Sequence, residues 1–444
     1  MSTEVLAASD VLAIVEAARK ASRKLAVASS STKNHALTRM AAALESHAAE
    51  ILAANAEDVK AAEVLAARGE LSGALFQRLK LNDDKFRAMI QGVLAVRELP
   101  DPAGRVLDRK LLDDGLILQK ISCPLGVLAI IFEARPDAIT QISSLAIKSG
   151  NAVILKGGKE VERTMMALLS AIRGALGEVA GIPEDAVSGV YGREAVQTIL
   201  GMTGSIDLVI PRGSNALVQY IQKNTQIPVL GHADGVCHIF VDAAADQAMA
   251  VSVIVDSKVQ YPAVCNAVET ILVHSAIATE FLPELHRALT ENGVRVRGSA
   301  RAQASLPEAV IDLVKDDEWH TEYSDLVLAV DVVADLDAAI DHIEKHGSHH
   351  TEAIVTADPE AARRFLNEVD SAGVFHNCST RFADGFRYGF GAEVGVSTSK
   401  LHARGPVGLE GLVTYKYQIE GSGQVVRDYV GRDARTFRHE PLDF

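Results

Sequence analysis

One cysteine stands where covalent chemistry could happen. Cys265 lies in Gln260-Tyr261-Pro262-Ala263-Val264-Cys265-Asn266, between a helix-like stretch that stops at Pro262 and the apolar run Ala267-Val268-Glu269-Thr270-Ile271-Leu272-Val273. A thiol at such a junction is held by rigid elements and remains reachable by substrate, as nucleophilic catalysis requires. Pro262 cannot continue the helix and biases Tyr261 towards an extended conformation, so the turn is written into the sequence. The alternative is burial, the common fate of a free cysteine. Cys123, Cys237 and Cys378 are assigned to that alternative as packing thiols.

Two other junctions could hold an anion. Asn151-Ala152-Val153-Ile154-Leu155-Lys156-Gly157-Gly158-Lys159-Glu160 delivers a lysine and two glycines from a strand into a helix start. Ile210-Pro211-Arg212-Gly213-Ser214-Asn215 repeats the design further along the chain, with Ser214 a plausible cap. Glycines let a backbone approach a ligand closely, and a helix N-terminus favours negative charge. A turn explains either junction alone. Together, with Lys156, Lys159 and Arg212 nearby, they fit a phosphate-bearing cofactor, although no strand-anchored GxGxxG is present. Lys159 is placed near a 2′-phosphate, which favours NADP over NAD.

Other residues carry weaker signals. Arg135, His402 and Arg404 could pair with a substrate phosphate or carboxylate, or form surface ion pairs; both readings stand open. His346-Gly347-Ser348-His349-His350 reads as a polar loop rather than a metal site, because no Cys or carboxylate sits at ligand spacing.

The elements that must position these groups follow from the rest of the chain. Its 444 residues allow two to three domains. Apolar residues at 48% and charged residues at 23% are ordinary for a globular protein with large cores. No run is long and apolar enough for a membrane span, and Met1-Ser2-Thr3-Glu4 opens no secretory signal, so a cytoplasmic protein is expected. Four widely spaced cysteines without a CxxC fit that compartment. A net charge of −14 argues against nucleic acid and acidic membranes as partners.

Residues 1–100 read as packed helices, one of them running through Ala36–Ala54. Residues 105–122 alternate as a hairpin around Asp113-Asp114-Gly115, and 412–430 turn strand-like again, so the two could form a small protruding sheet. Between them, apolar strands alternate with amphipathic helices, first from Gly126 to Leu230 and again from Val236 to Val355. That rhythm specifies α/β architecture with parallel, doubly wound sheets, which bind ligands beyond the carboxyl ends of their strands.

With these residues in hand, the chain resembles the aldehyde dehydrogenase superfamily, and within it the reductases of gamma-glutamyl phosphate. The stretches that carry the resemblance are Pro124-Leu125-Gly126-Val127 to Phe132-Glu133-Ala134-Arg135-Pro136-Asp137, Lys148 to Gly158, Tyr261 to Ala267, and Gly391-Ala392-Glu393-Val394-Gly395 to His402-Ala403-Arg404-Gly405-Pro406. The resemblance implies a Rossmann-type dinucleotide-binding domain (1–104 and 123–235), an α/β catalytic domain (236–410) and a small β oligomerisation extension (105–122 and 411–444). It implies that Cys265 is the nucleophile, that Lys156 and the Gly213-Ser214 turn line the dinucleotide site, and that Glu322 falls near the nicotinamide ribose. The activity implied is NADPH-dependent reduction of L-glutamyl 5-phosphate to L-glutamate 5-semialdehyde by a homo-oligomer, with glutamate 5-kinase a candidate partner.

Departures from the superfamily sharpen this. Aldehyde-oxidising members place a glutamate base in a Glu-Leu-Gly-Gly signature; here the matching stretch is Leu230-Gly231-His232-Ala233-Asp234-Gly235. Without that base a thioester survives until hydride arrives. The superfamily's oxyanion asparagine is replaced by Ala134-Arg135-Pro136, leaving the Cys265 N–H and Asn266 as candidates for that role. A CoA-acylating aldehyde dehydrogenase and a catalytically silent cofactor-binding scaffold are the alternatives.

Overall fold

The computed structural model describes residues 7–71, 73–192, 194–231, 234–307 and 309–443. Two parallel sheets form its centre. The first has four strands in the order Val187–Gly189, Ala152–Gly157, Val127–Phe132, Leu208–Arg212. Every side chain of Val127–Phe132 is buried, because helices cover both faces of the sheet. Strand order reverses at Val127–Phe132, so the carboxyl ends beside it open a crevice. The loops at that end are Glu133-Ala134-Arg135, Gly157-Gly158 and Gly213-Ser214.

The second sheet has seven strands: Asp312–Leu313, Arg295–Gly298, Val327–Val333, Val268–His274, Cys237–Val241, Thr351–Val355 and Gly373–His376, neighbours in that order. Every pairing in it is parallel. Cys265 precedes Val268, so it lies at the amino end of this sheet, beside the carboxyl end of the first.

A third, antiparallel sheet is built from remote segments: Val413–Glu420, Leu116–Pro124, Val106–Asp113 and Glu440–Pro441. The hairpin expected at Asp113-Asp114-Gly115 is present, with Gly115 at φ 69° supplying the left-handed turn residue. Val413–Glu420 forms an edge of this sheet, and Tyr415, Tyr417 and Ile419 on it are exposed.

Two expectations are corrected. The helix through Ala36–Ala54 is two helices, Ser30–Ser46 and Ala48–Ala67. They divide at His47, whose Nδ1 lies 2.8 Å from the Ala43 carbonyl and whose backbone leaves helical geometry at φ −101°, ψ 14°. Residues 347–350 form the loop expected between helix and strand, and the correction concerns the two end histidines. His346 ends the helix Leu336–His346 and is buried against Trp319 and His320, beside the partly buried His342, and His350 is buried as well.

Candidate active site

Cys265 sits in a tight turn closed by Ala267 N–H donating to Val264 C=O at 2.9 Å. The helix Gln247–Val259 ends before it, with Gln260 at its C-cap. Three contacts hold the turn from beneath. Cys237 Sγ–H donates to the Cys265 carbonyl at 3.2 Å, and burial pushes the Cys237 thiol well above its usual range. Thr380 Oγ1–H donates to the Asn266 carbonyl at 2.7 Å. Gly235 packs directly against the cysteine: a Cβ there would overlap the Cys265 carbonyl oxygen and lie 2.6 Å from the Cys265 Cβ.

Asn266, expected to help hold an oxyanion, is engaged elsewhere. It is buried, and its Nδ2 donates to the Ala383 carbonyl at 2.8 Å. Its amide thereby fastens the nucleophile's turn to the segment Thr380–Phe382 and the residue after it.

Two arginines, Arg135 and Arg381, feel the charge of Cys265, Arg78 and Arg212 lie close to Arg135, and none of the four has a salt bridge among the described residues. Arg135, from the first sheet's loop, makes no side-chain hydrogen bond there either; burial, with Arg212 and Arg78 close by, pulls its guanidinium down to about 10, against the pull of Asp137 and Cys265. Arg212 ends the strand Leu208–Arg212 and makes a single long contact, Nη1 to the Glu393 carbonyl at 3.5 Å. Arg78 comes from the short helix Gly73–Leu79, and its Nη2 donates to the Ala263 carbonyl, two residues before the cysteine, at 3.0 Å. Arg381 is buried, with Nε donating to Gln260 Oε1 at 2.9 Å; burial and Arg387 lower its pKa, while Asp384 and Cys265 oppose them. The Glu393 carboxyl faces Arg212 and Arg135, yet burial raises its pKa, and it accepts from Gly385 N–H at 2.9 Å.

The two glycine junctions lie at the carboxyl end of the first sheet. Gly213 is required by close approach, since a Cβ there would overlap the Glu133 carboxylate. That carboxylate accepts from Ser214 N–H at 2.7 Å, so the start of the helix Asn215–Asn224 already receives an anionic oxygen. Ser214 makes no side-chain cap of its own. Gly157 lets its strand pass close to the next helix, because a Cβ would lie 2.7 Å from Val161 Cγ1. Beside it, Gly158 is covered by the Glu160 carboxylate, which accepts from Ala134 N–H at 2.7 Å. Lys156 and Lys159 both face Glu162, whose carboxyl burial raises. Lys159 is exposed. The two lysines carry charge that a dinucleotide's phosphates would meet here, while the carboxylates of Glu133 and Glu160 lie over the two glycine junctions.

Glu322 reaches the same region from the other side. Its Oε2 accepts from Gly235 N–H at 2.9 Å and its Oε1 from Ser324 Oγ–H at 3.2 Å. It therefore braces the glycine on which the nucleophile rests.

His402 and Arg404 take other tasks. Arg404 Nη1 pairs with Asp370 at 2.7 Å and its Nη2 donates to the Asp370 carbonyl, so both Nη groups are engaged with one residue while its buried Nε has no partner among the described residues. Lys400 and Arg404 together hold the Asp370 carboxyl down at about 2. His402 Nε2 lies 3.2 Å from the Val413 carbonyl. The ion-pair alternative is the one the geometry favours for Arg404. His232 lies outside the described residues. No cluster of metal-binding side chains occurs among the described residues, and none of their helices is long and apolar enough to cross a membrane.

Comparison with known proteins places the chain in a family and agrees with the fold. The profile of the aldehyde dehydrogenase family matches residues 1–305. A gamma-glutamyl phosphate reductase of Synechococcus sp. (strain JA-3-3Ab) is 53% identical over 436 residues, which cover 98% of this chain and 95% of that one. The crystal structure of gamma-glutamyl phosphate reductase from Thermotoga maritima superposes with a TM-score of 0.89 at 41% identity, covering 94% of this chain and 99% of that one. An acetylating aldehyde dehydrogenase from Geobacillus thermoglucosidasius, at 16% identity and a TM-score of 0.64, covers 94% of this chain and 98% of that one, a likeness of fold alone.

Proposed function

The chain belongs to the aldehyde dehydrogenase family, and from that premise we propose that it reduces L-glutamyl 5-phosphate to L-glutamate 5-semialdehyde in proline biosynthesis. Cys265 Sγ attacks the acyl carbon, the bond from that carbon to the phosphate oxygen breaks, and phosphate leaves with the bonding pair. The product is a thioester on Cys265. A reduced nicotinamide, when bound, supplies the hydride that turns this thioester into the aldehyde and frees the thiolate. Lys156, Gly157, Gly158, Gly213 and Ser214 hold the dinucleotide in this proposal, with Glu322 towards its ribose. Lys159, exposed beside the second glycine, selects NADP by its charge.

The observation that supports the proposal is a group of guanidiniums near the nucleophile's turn that close no salt bridge among the described residues. Such a surrounding suits a substrate that brings its own dianion, and it has no purpose in the oxidation of a neutral aldehyde. A homo-oligomer joined through the protruding sheet, in the cytoplasm, with glutamate 5-kinase supplying the acyl phosphate, completes the proposal.

The test is NADPH oxidation with enzymatically generated glutamyl phosphate. Wild-type protein should turn over, and Cys265→Ala should be inactive while still binding NADPH. Substantial residual turnover in that variant removes the covalent route. A second measurement addresses the cofactor: Lys159→Ala should raise KM for NADPH at least about tenfold and leave that for NADH nearly unchanged, as loss of one charge-assisted contact predicts.

A further inference from the structure

We infer that Lys258 and Glu269, a buried ion pair, are positioning residues that set the turn of Cys265 and join it to Glu322 on the cofactor side of the site. The consequence in rate rests on the reaction proposed above; the placement of the turn does not.

The pair stands at the two ends of the nucleophile's segment. Lys258 is in the last turn of the helix Gln247–Val259, and Glu269 is the second residue of the strand Val268–His274, so residues 260–267 loop out between them. Lys258 Nζ donates to Glu269 Oε2 at 2.7 Å, and neither side chain is exposed. That bond closes the loop at its base. Stability alone is a poor reason for it, because desolvating two charges offsets their attraction, and apolar side chains would join helix to strand as well. The strand is irregular at this residue. Cys237 pairs with Val268 and His238 with Thr270, which leaves Glu269 as the extra residue. An extra residue of this kind re-aims a side chain, and such irregularities gather beside active sites.

The second carboxylate oxygen of Glu269 leads to the cofactor side. It accepts from Ser324 N–H at 3.4 Å, and Ser324 Oγ–H donates to Glu322 Oε1 at 3.2 Å. Ser324 holds φ 53°, in the left-handed region that few residues other than glycine adopt, and persists there because two carboxylates grip it. Glu322 Oε2 in turn accepts from Gly235 N–H, and Gly235 packs against Cys265. A continuous run of contacts therefore passes from Lys258 through Glu269, Ser324, Glu322 and Gly235 to the nucleophile. The residue before Lys258 makes the matching contact on the far side of the turn: Ser257 Oγ accepts from Thr380 N–H at 3.2 Å, and Thr380 holds the Asn266 carbonyl. One helix end thus fixes the cysteine from two directions.

The experiment compares wild-type protein with Glu269→Gln, Lys258→Met, Lys258→Arg and the double variant Lys258→Met with Glu269→Met. It takes two readings: steady-state kinetics with glutamyl phosphate and NADPH, and hydrogen–deuterium exchange without either. In Glu269→Gln and Lys258→Met kcat should fall about 100-fold, as a displacement of about 1 Å predicts. KM for both substrates should stay within about threefold of wild type, because the lost interaction acts in the transition state. Lys258→Arg should recover at least about tenfold of the loss, since it keeps a charge opposite Glu269. Exchange over residues 260–267 and 322–326 should quicken at least about tenfold, while the strand Val127–Phe132 exchanges as in wild type. Folded variants with wild-type kcat, or with wild-type exchange over 260–267, overturn the inference, even where thermal stability drops; so does a loss carried by KM. If the single variants fail to fold, the double variant decides by the same two readings, because an apolar pair restores the packing without the link to Ser324. Faster local exchange, with a wild type that does not turn over glutamyl phosphate, removes the functional proposal and keeps the positioning pair. Wild-type turnover with kcat and exchange unchanged in the variants does the reverse.

Discussion

At the residue scale, the nucleophile depends on a position that carries no side chain. Gly235 lies under Cys265, where any Cβ would collide with the main chain of the turn. Gly235→Ala must push the thiol away from its arginines, and a displacement of about 1 Å is enough to cost about 100-fold in rate. Gly204→Ala is the matched control, because nothing lies within 4 Å of a Cβ built there. Steady-state kcat should fall about 100-fold in the first and stay unchanged in the second, with wild-type circular dichroism in both. Cys265, Arg135 and the two glycine junctions could be proposed from sequence because each sits in a break between strand and helix. Arg78 was not: a single arginine in Leu75-Phe76-Gln77-Arg78-Leu79 looks like an ordinary helix surface, and only the tertiary approach of Ala263 gives it meaning. Asn266 and Arg404 misled for the opposite reason, since a polar side chain near a motif can equally be engaged by a backbone carbonyl or a carboxylate.

At the element scale, the helix Leu336–His346 should make the second domain sensitive to acid. His342 is buried against Trp319, with His238, His346, Arg301 and Lys345 facing it and the Asp331 carboxylate 3.9 Å from its Nδ1. Burial first, then these like charges, lower its pKa to about 2, and that of His346 to about 4. The unfolded chain takes up these protons near pH 6.5 and the folded chain does not, so stability is complete above that pH and is lost as pH falls towards the folded values. For His342 alone the loss by pH 5 is about 2 kcal/mol. Thermal unfolding should show Tm falling between pH 7 and pH 5, and His342→Phe should flatten that slope; an equal slope in the variant shows that other groups dominate. The edge strand Val413–Glu420 makes a second prediction. Its outer neighbour position is empty among the described residues and its aromatic side chains are exposed, a combination that invites another strand. Tyr417→Asp should lower the mass measured by light scattering to that of a smaller assembly, without loss of the protomer fold. The alternating strands and helices, and the parallel α/β architecture they imply, were readable because parallel strands buried on both faces become continuous apolar runs, while the aldehyde dehydrogenase-like form of that architecture came from the resemblance of the motifs. Arg295–Gly298, Asp312–Leu313 and Gly373–His376 escaped notice because they are short and lie towards the sheet's edges, where charge is tolerated.

At the scale of the whole molecule, the site belongs to no single layer. Its parts run from Arg78 in the N-terminal helices, through Arg135 and Arg212 on the first sheet, to Cys265 and Arg381 on the second. The turn that presents the thiol is fastened by Thr380 and Ala383, more than a hundred residues further along the chain. During synthesis the cysteine therefore leaves the ribosome well before the residues that hold it. A nascent chain carries the nucleophile but neither its anchor nor its fourth guanidinium, so it cannot act on an acyl phosphate until translation has passed residue 383. The same interval leaves the thiol in a loose segment, open to whatever electrophile reaches it first.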